Sequence, residues 1–200
     1  MSTVKSKKLQ VGTDATSSNN FTIYQPATPD GTLRIGVGNA DSPTEVGRFD
    51  SNGYVATNAP AFRAYIGGGT NQSISQNTWT KVNLVSEDFD TNSCFDNITN
   101  YRFTPNVAGY YQVNGQIMHN MSGTTTVVLT AISKNGTRVC LTEWANWTFG
   151  SGNSVSCSDV IYMNGTTDYL ELYGYSGSSS ASFERDRGNT FLSASLVRAV

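Results

Sequence analysis

Residues 89–118 constrain the fold most, because period-two patterning there coincides with a dense set of aromatic side chains. Tyr101 and Phe103 share one face at that period, and residues 109–117 alternate polar and apolar over a full strand length. The segment between them, 104–109, contains a proline that cannot donate to a sheet ladder and a glycine that tolerates positive φ. The pattern predicts a hairpin with an aromatic-rich inner face.

The same stretch resembles the central signature of C1q-like domains, which belong to the C1q and tumour-necrosis-factor superfamily. The residues that carry the resemblance are, in order, Phe89, Phe95, Asp96, Tyr101, Phe103, Thr104, Pro105, Ala108, Gly109, Tyr110 and Tyr111. Segments 134–137, 168–172 and 191–197 are similar to the family's mid-domain turn, penultimate strand and closing strand. The resemblance covers about residues 60–200 and implies a jelly-roll sandwich that assembles as a homotrimer.

One set of aromatic side chains is expected to pack in the core or at the trimer interface. These residues are Phe89, Phe95, Tyr101, Phe103, Tyr110, Tyr111 and Phe191. Assembly would bury the apolar strips of such a chain against identical copies, and symmetric closure leaves no open end.

The composition favours an all-β protein. Charged residues make up 14% of the chain and aromatic residues 11%, at a net charge of −2, whereas disorder is associated with high net charge and few aromatics. The basic cluster of Lys5, Lys7 and Lys8 is interpreted as a solvated tail, too small for nucleic-acid binding. No apolar run approaches the roughly 18 residues of a membrane span. The first 20 residues lack the apolar core of an export signal, so we expect assembly in the cytoplasm of the cell that makes the protein.

Residues 1–59 are expected to form a segment of short strands rather than a domain. Strand patterns at 21–24, 32–37 and 46–49 each contain one or two large apolar side chains, which is too few to enclose a core. We therefore predict that this segment anchors the protein by packing on sister chains or on another protein. The candidate anchor residues are Phe21, Ile23, Leu33, Ile35, Val46 and Phe49.

The glycine-punctuated sequences of this segment, at 32–36 and 46–53, resemble short β segments of bacteriophage fibre and virion-surface proteins. A domain at 60–200 follows, with residues 143–154 predicted as a loop. Its strand patterns lie at 61–66, 79–84, 124–132, 155–163, 169–175 and 191–197. The sequence thus predicts an extended N-terminal segment of short strands followed by a jelly-roll sandwich.

Patterns for catalysis and metal binding are weak. His119 is the single histidine, so neither nucleophilic catalysis nor a zinc site of the usual kind is indicated, and we interpret it as a surface or interface residue. Four carboxylates leave calcium as an alternative, although their spacing fits no EF-hand loop and loop acids usually make side-chain turns. These are Glu87, Asp88, Asp90 and Asp96. We expect neither enzyme activity nor a resident cofactor.

The three cysteines, Cys94, Cys140 and Cys157, do not have the spacing of metal ligands. Cys140 and Cys157 would face each other if their strands were adjacent, and we favour free, packed thiols over a disulfide. The sign-alternating segment 184–187 is interpreted as a solvated loop, with a contact to a neighbouring subunit of a trimer as the alternative.

Trp144, Trp147 and Phe149 are the candidate contacts to a ligand or partner, because aromatic rings pack well on the apolar faces of sugars; packing within the protein is the alternative.

The first functional hypothesis is a trimeric structural protein of a bacteriophage virion. It would be a surface fibre or capsid decoration, attached to other virion proteins by its N-terminal segment and ending in a C-terminal knob. The second is the receptor-binding knob of a tail fibre, with a host-surface glycan as partner.

Overall fold

The computed structural model describes residues 8–16, 19–56, 59–121, 123–149 and 152–200, with the backbone alone at 56, 123–126 and 146–149. The described residues form strands, turns and loops, which confirms the all-β prediction. No helix among them has the length and hydrophobicity needed to cross a membrane. The chain divides into two compact units, Met1–Asn58 and Ala59–Val200.

The N-terminal unit contains one antiparallel sheet whose strands follow one another in chain order. Its strands are β1 (Lys8–Val11), β2 (Phe21–Tyr24), β3 (Leu33–Val37), β4 (Thr44–Asp50) and β5 (Gly53–Ala56). At the β4–β5 turn the Asn52 amide donates to the Asp50 carboxylate over 2.7 Å, and Gly53 takes a φ of 121° that few other residues tolerate. The three predicted strands are confirmed, whereas β1 and β5 were not predicted.

The C-terminal unit is a jelly-roll sandwich of two sheets. Its strands are β6 (Ala61–Tyr65), β7 (Gln72–Ser73), β8 (Thr80–Lys81), β9 (Ser86–Asp90), β10 (Phe95–Asp96), β11 (Arg102–Phe103), β12 (Gly109–Met121), β13 (Gly123–Lys134), β14 (Thr137–Phe149), β15 (Asn153–Met163), β16 (Leu170–Ser176), β17 (Ala181–Phe183) and β18 (Phe191–Ala199). One sheet has the order β10-β11-β16-β13-β14, with β8 also paired to β16. The other has the order β7-β17-β12-β18-β6-β9, with β15 paired to β12.

The core of this unit lies between the two sheets, and aromatic rings from both sheets fill its centre. Phe62 of β6 stacks on Phe103 of β11 at a centroid distance of 4.4 Å and on Phe95 of β10 at 4.9 Å. Tyr111 of β12 meets Phe103 edge to face at 5.6 Å. Leucine, isoleucine and methionine side chains from five strands and from the segment between β8 and β9 complete the core: Leu84, Ile117, Ile132, Met163, Leu170, Leu172 and Leu192. The resulting contacts supply the burial that a domain of this size needs.

The predicted hairpin around residues 104–109 is wrong, because its two arms belong to different sheets. Phe103 pairs with Phe95 and Leu170, whereas Tyr111 pairs with Ile161 and Leu196. Sheets of a sandwich pack about 10 Å apart. A chain that crosses between them can therefore bring Phe103 and Tyr111 together in the core, which two arms of one hairpin would leave side by side on one face.

The longest hairpin joins β13 and β14 through Asn135 and Gly136, whose φ angles of 51° and 81° are those of a tight two-residue turn. The strands stay paired from Lys134–Thr137 back to Gly123–Phe149. The prediction of a loop over 143–154 is therefore wrong at least through residue 149. Its aromatic residues continue β14 because the β-branched first half of β13 provides a ladder partner for them.

Candidate interaction surfaces

Strand alternation separates the predicted packing aromatics into inward and outward positions. Phe95, Phe103 and Tyr111 are buried, Tyr101 and Phe191 are half-buried, and Phe89 and Tyr110 are exposed. Tyr110 and Tyr111 show the rule directly, since consecutive residues of β12 point to opposite faces of the sheet. The two exposed members, Phe89 of β9 and Tyr110 of β12, lie on the outer face of the sheet that contains both strands.

An apolar patch occupies one end of that outer face, and we call it the tyrosine patch: Tyr110, Val160 and Tyr162. Tyr110 pairs with Tyr162 across β12 and β15, with ring centroids 5.5 Å apart, and all three side chains are at least 42% exposed. The ammonium group of Lys134 donates to the Tyr162 carbonyl over 2.6 Å and lies 5.5 Å from its ring centroid. Val160 and Tyr162 were not predicted as contacts, although their alternation with buried Ile161 is the signal that would have identified them.

A polar ladder continues the same face beside the patch. The side-chain amide of Gln112 donates to the Ser158 hydroxyl over 2.9 Å, and that hydroxyl donates to Asn114 Oδ1 over 2.9 Å. One rung further, the Ser156 hydroxyl donates to Gln116 Oε1 over 3.1 Å. The ladder places an uncharged row of side chains next to the exposed aromatic rings.

Opposite charges at the far edge of this sheet pair within the chain. Asp88 of β9 binds the guanidinium groups of Arg63 and Arg187, the latter at 2.5 Å, and Arg63 lies 4.4 Å from the ring centroid of Phe191. Burial by itself raises the pKa of Asp88, but the hydrogen bonds from Arg187 and Arg63 outweigh it, so that the pKa is lowered. Arg185 in the same segment donates to the Gly68 carbonyl over 2.5 Å. Residues 185–187 are exposed, as predicted, whereas Glu184 is half-buried, and the segment is tied to its own chain.

The four candidate calcium ligands do not converge. Asp88 is held by arginines, and Asp90 accepts from the Phe95 amide over 2.7 Å. Asp96 accepts from the amides of Thr99 and Ile98, and these bonds lower its pKa to about 2. Burial, and secondarily Asp90, raises the pKa of Glu87. Within the described residues, no group of three or more His, Cys, Asp or Glu side chains is placed to hold a metal ion.

His119 is buried, so its interpretation as a surface or interface residue is wrong. Its side chain has no exposed area, its Nε2 lies 3.3 Å from the Thr130 hydroxyl, and its Nδ1 has no hydrogen-bond partner. The Phe183 ring meets it edge to face at 5.5 Å. Burial lowers the pKa of His119 to about 3. Position 119 has the inward parity of Ile117 in β12, so extending the predicted alternation of 109–117 by two residues would have placed it in the core.

The three cysteines are free thiols, with Cys94 and Cys157 buried and Cys140 half-buried. Cys140 lies on β14 and Cys157 on β15, at the edges of the two sheets. Burial first and the Cys140 thiol second raise the pKa of Cys157 to about 12. Burial also raises the pKa of Cys94.

The predicted aromatic contact is described in part. Trp144 lies in the edge strand β14 opposite Val128 and is 41% exposed. The side chains of Trp147 and Phe149 lie outside the described residues. Trp144 is therefore the member of this set for which the structure supplies a placement.

The N-terminal sheet carries its large apolar side chains on one face, which we call the apolar face. Cross-strand pairing aligns them in three rows: Val11, Phe21 and Val37; Leu9, Ile23 and Ile35; Leu33, Phe49 and Tyr54. Five of the six predicted anchor residues lie on it, and the sixth, Val46, is the extra residue of a β-bulge between β3 and β4. Leu9, Val11 and Tyr54 were not predicted, although Leu9 and Val11 show the same alternation as β2 and β3.

The paired sheets of the C-terminal unit define a jelly roll of the tumour-necrosis-factor type. No protein-family model matches the chain, and no curated protein matches it in sequence. The Eiger TNF structure from S. frugiperda is 10% identical with a TM-score of 0.54, covering 71% of this chain and 94% of its own. Murine APRIL at pH 5.0 is 12% identical with a TM-score of 0.51, covering 70% and 99%. These similarities concern the fold.

Proposed function

We propose that the protein is a non-enzymatic, homotrimeric structural component of a bacteriophage virion, a surface fibre or decoration protein. The C-terminal jelly roll forms a knob, and the N-terminal sheet belongs to the attached end. The observation that carries this proposal is the outward tyrosine patch on a jelly roll whose core is already complete.

The patch supports association of the knob with copies of itself. The rings of Tyr110 and Tyr162 lie tilted against each other, with centroids 5.5 Å apart, and both remain exposed; tyrosine is enriched in the cores of protein interfaces. The neighbouring ladder of glutamine, asparagine and serine has no charged side chain, so the ladder itself adds no like-charge repulsion between identical copies. A symmetric assembly buries the same patch on every subunit.

The N-terminal unit supports attachment to a larger body. Among its described residues, no hydrophobic side chain is fully enclosed, and the buried side chains are the polar Asn20 and Thr22. A single sheet of this size with an uncovered apolar face is not an independent domain. The resemblance of its glycine-punctuated strands to bacteriophage fibre segments favours a virion as that body.

Localisation on intact particles tests the proposal. Antibodies against the knob should label purified bacteriophage particles that encode the chain, and particle reconstruction should place three copies at each labelled position. Absence of the chain from purified, infectious particles would overturn the virion assignment. Labelled positions that each hold one copy would overturn the trimer and leave the virion assignment intact.

Exposed Trp144 favours receptor binding by the knob as a second candidate. Binding of the purified protein to host-surface glycans should fall at least tenfold in Trp144→Ala. Leu141→Ala is the matched control, because Leu141 is also an exposed residue of β14. Equal glycan binding by the wild type and Trp144→Ala would remove this candidate.

A further inference from the structure

The apolar face of the N-terminal sheet is the largest feature that the jelly roll does not explain. Its six most exposed side chains, Leu9, Val11, Phe21, Leu33, Phe49 and Tyr54, are each 46% to 59% exposed. Phe49 and Tyr54 form a ring pair at 5.3 Å. Exposed apolar patches of a few hundred square ångströms on soluble proteins are often functional.

The opposite face of the same sheet, which we call the charged face, carries polar and charged side chains, among them the buried Thr22. Arg34 binds Glu45 over 2.9 Å and Asp30 over 2.5 Å, and Arg48 binds Glu45 over 3.1 Å. These charges are neutralised within the face, so they leave no unbalanced group that would select a charged partner. The three rows of the apolar face contain no charged residue. An uncharged apolar surface is complementary to an identical copy of itself.

The size of the apolar face decides between a separate partner and a sister chain. Five strands about 4.8 Å apart, with four to seven residues at about 3.4 Å each, give a face on the order of 300–400 Å². A stable interface between free proteins buries about 800 Å² of accessible surface per partner, about twice the flat footprint of this face. Copies already held together elsewhere need much less area, because binding between tethered segments has an effective concentration near millimolar.

We infer that the apolar face is covered by the same face of sister chains, so that the N-terminal sheets pack on one another around the symmetry axis of the trimer. This inference rests on the proposed trimer, since the knobs supply the tether. It assigns the apolar face of the N-terminal sheet to self-assembly of the three chains.

Hydrogen exchange of the full chain, with the oligomer mass measured on the same sample, tests the inference. Leu9→Asp and Gln10→Asp put the same new charge on neighbouring residues of β1 that point to opposite faces. Ile23→Asp repeats the change at the centre of the apolar face. Leu9→Asp and Ile23→Asp should each lower amide protection in β2–β4 at least tenfold, whereas Gln10→Asp should leave that protection unchanged. In all three variants, the amide protection of the jelly roll and the mass of three chains should stay as in the wild type.

Three results would overturn it. Wild-type protection of β2–β4 in Ile23→Asp would show that the face is not an interface. A three-chain protein whose β2–β4 amides become protected only when virion proteins are added would assign the face to a foreign partner and leave the trimer intact. A single chain in which β2–β4 are already protected would mean that the chain covers its own face, and the proposed trimer would fail as well.

Discussion

The two units of this chain are built from the same kind of alternating strand, but one unit buries its apolar side chains and the other exposes them. In the jelly roll, alternating strands from two sheets enclose Phe62, Phe103 and Tyr111 between them. In the N-terminal unit, strands with equally clear alternation form one sheet and leave Phe21 and Phe49 exposed. The difference shows that period-two patterning specifies which face is apolar, but the number of layers decides whether that face is buried within the chain.

Removal of a core ring should have the largest effect and should be confined to the jelly roll. Phe103→Ala deletes a fully buried ring that touches Phe62 and Tyr111, and we expect a loss of about 3–5 kcal/mol in the free energy of unfolding. Phe49→Ala is the control, since Phe49 is exposed in the N-terminal sheet. Urea unfolding followed by fluorescence of the three tryptophans, all in the jelly roll, measures both variants. Equal losses would erase the contrast between the units.

Acid should destabilise the jelly roll through His119. The pKa of this side chain is near 6.5 in the unfolded chain and about 3 in the folded chain, so between these pH values the unfolded chain is protonated at His119 and the folded chain is not. The stabilising contribution is complete above pH 6.5 and is lost as the pH falls toward 3, at up to about 1.4 kcal/mol per pH unit. Unfolding free energies at pH 7.0, 6.0 and 5.0 should decline in the wild type. A flat profile in the wild type, or an equal decline in His119→Gln, would contradict this assignment.

A methyl group added to a sheet glycine should cost more in the sandwich than in the single sheet. The Cβ of Gly115→Ala would lie 2.7 Å from Leu172 Cδ1 and 3.4 Å from Ile132 Cγ1, inside the packed core, at a cost of about 1–3 kcal/mol. The Cβ of Gly47→Ala would meet one side chain, the Tyr54 ring, which is 59% exposed on its own chain and shifts more easily than a packed core, even where a sister chain covers it. We expect the second substitution to raise local exchange rates in β4 less than about fivefold. A larger effect for Gly47→Ala would contradict this contrast between the two units.

The charged face of the N-terminal sheet should contribute least. Glu45→Gln removes the carboxylate shared by Arg34 and Arg48, both partly exposed, and pairs of this kind are worth less than about 1 kcal/mol. Amide exchange in β3 and β4 should therefore accelerate by less than about fivefold, and less still at high salt. Loss of the whole sheet in Glu45→Gln would mean that the charged face, rather than the apolar face, organises this unit.

The sequence predicted the strands and the aromatic core of this protein better than it predicted their partners. The strands at 61–66 and 191–197 and the turn at Asn135–Gly136 follow from local patterning, and the structure confirms them. The crossing between Phe103 and Tyr111 does not follow, because period two is the same whether the next strand joins the same sheet or the facing one. The burial of His119 is likewise set by Thr130 and Phe183, which are distant in sequence.

For the interaction surfaces too, the sequence predicted individual residues but not the neighbours that strand pairing gives them. Five anchor residues of the N-terminal sheet were identified from their apolar character, but their gathering on one face depends on the register of five strands. The tyrosine patch was half identified through Tyr110, because Tyr162 becomes its neighbour only when β12 pairs with β15. The Arg63, Asp88 and Arg187 cluster joins three separate segments, so no local motif announces it.

The central claim is that one chain completes the jelly roll but several chains are needed to cover the N-terminal sheet. The molar mass of the purified full-length protein, measured by light scattering along a dilution series, tests it most directly. The account predicts the mass of three chains to well below micromolar concentration. A folded single chain across the series, with both units resistant to protease, would contradict it.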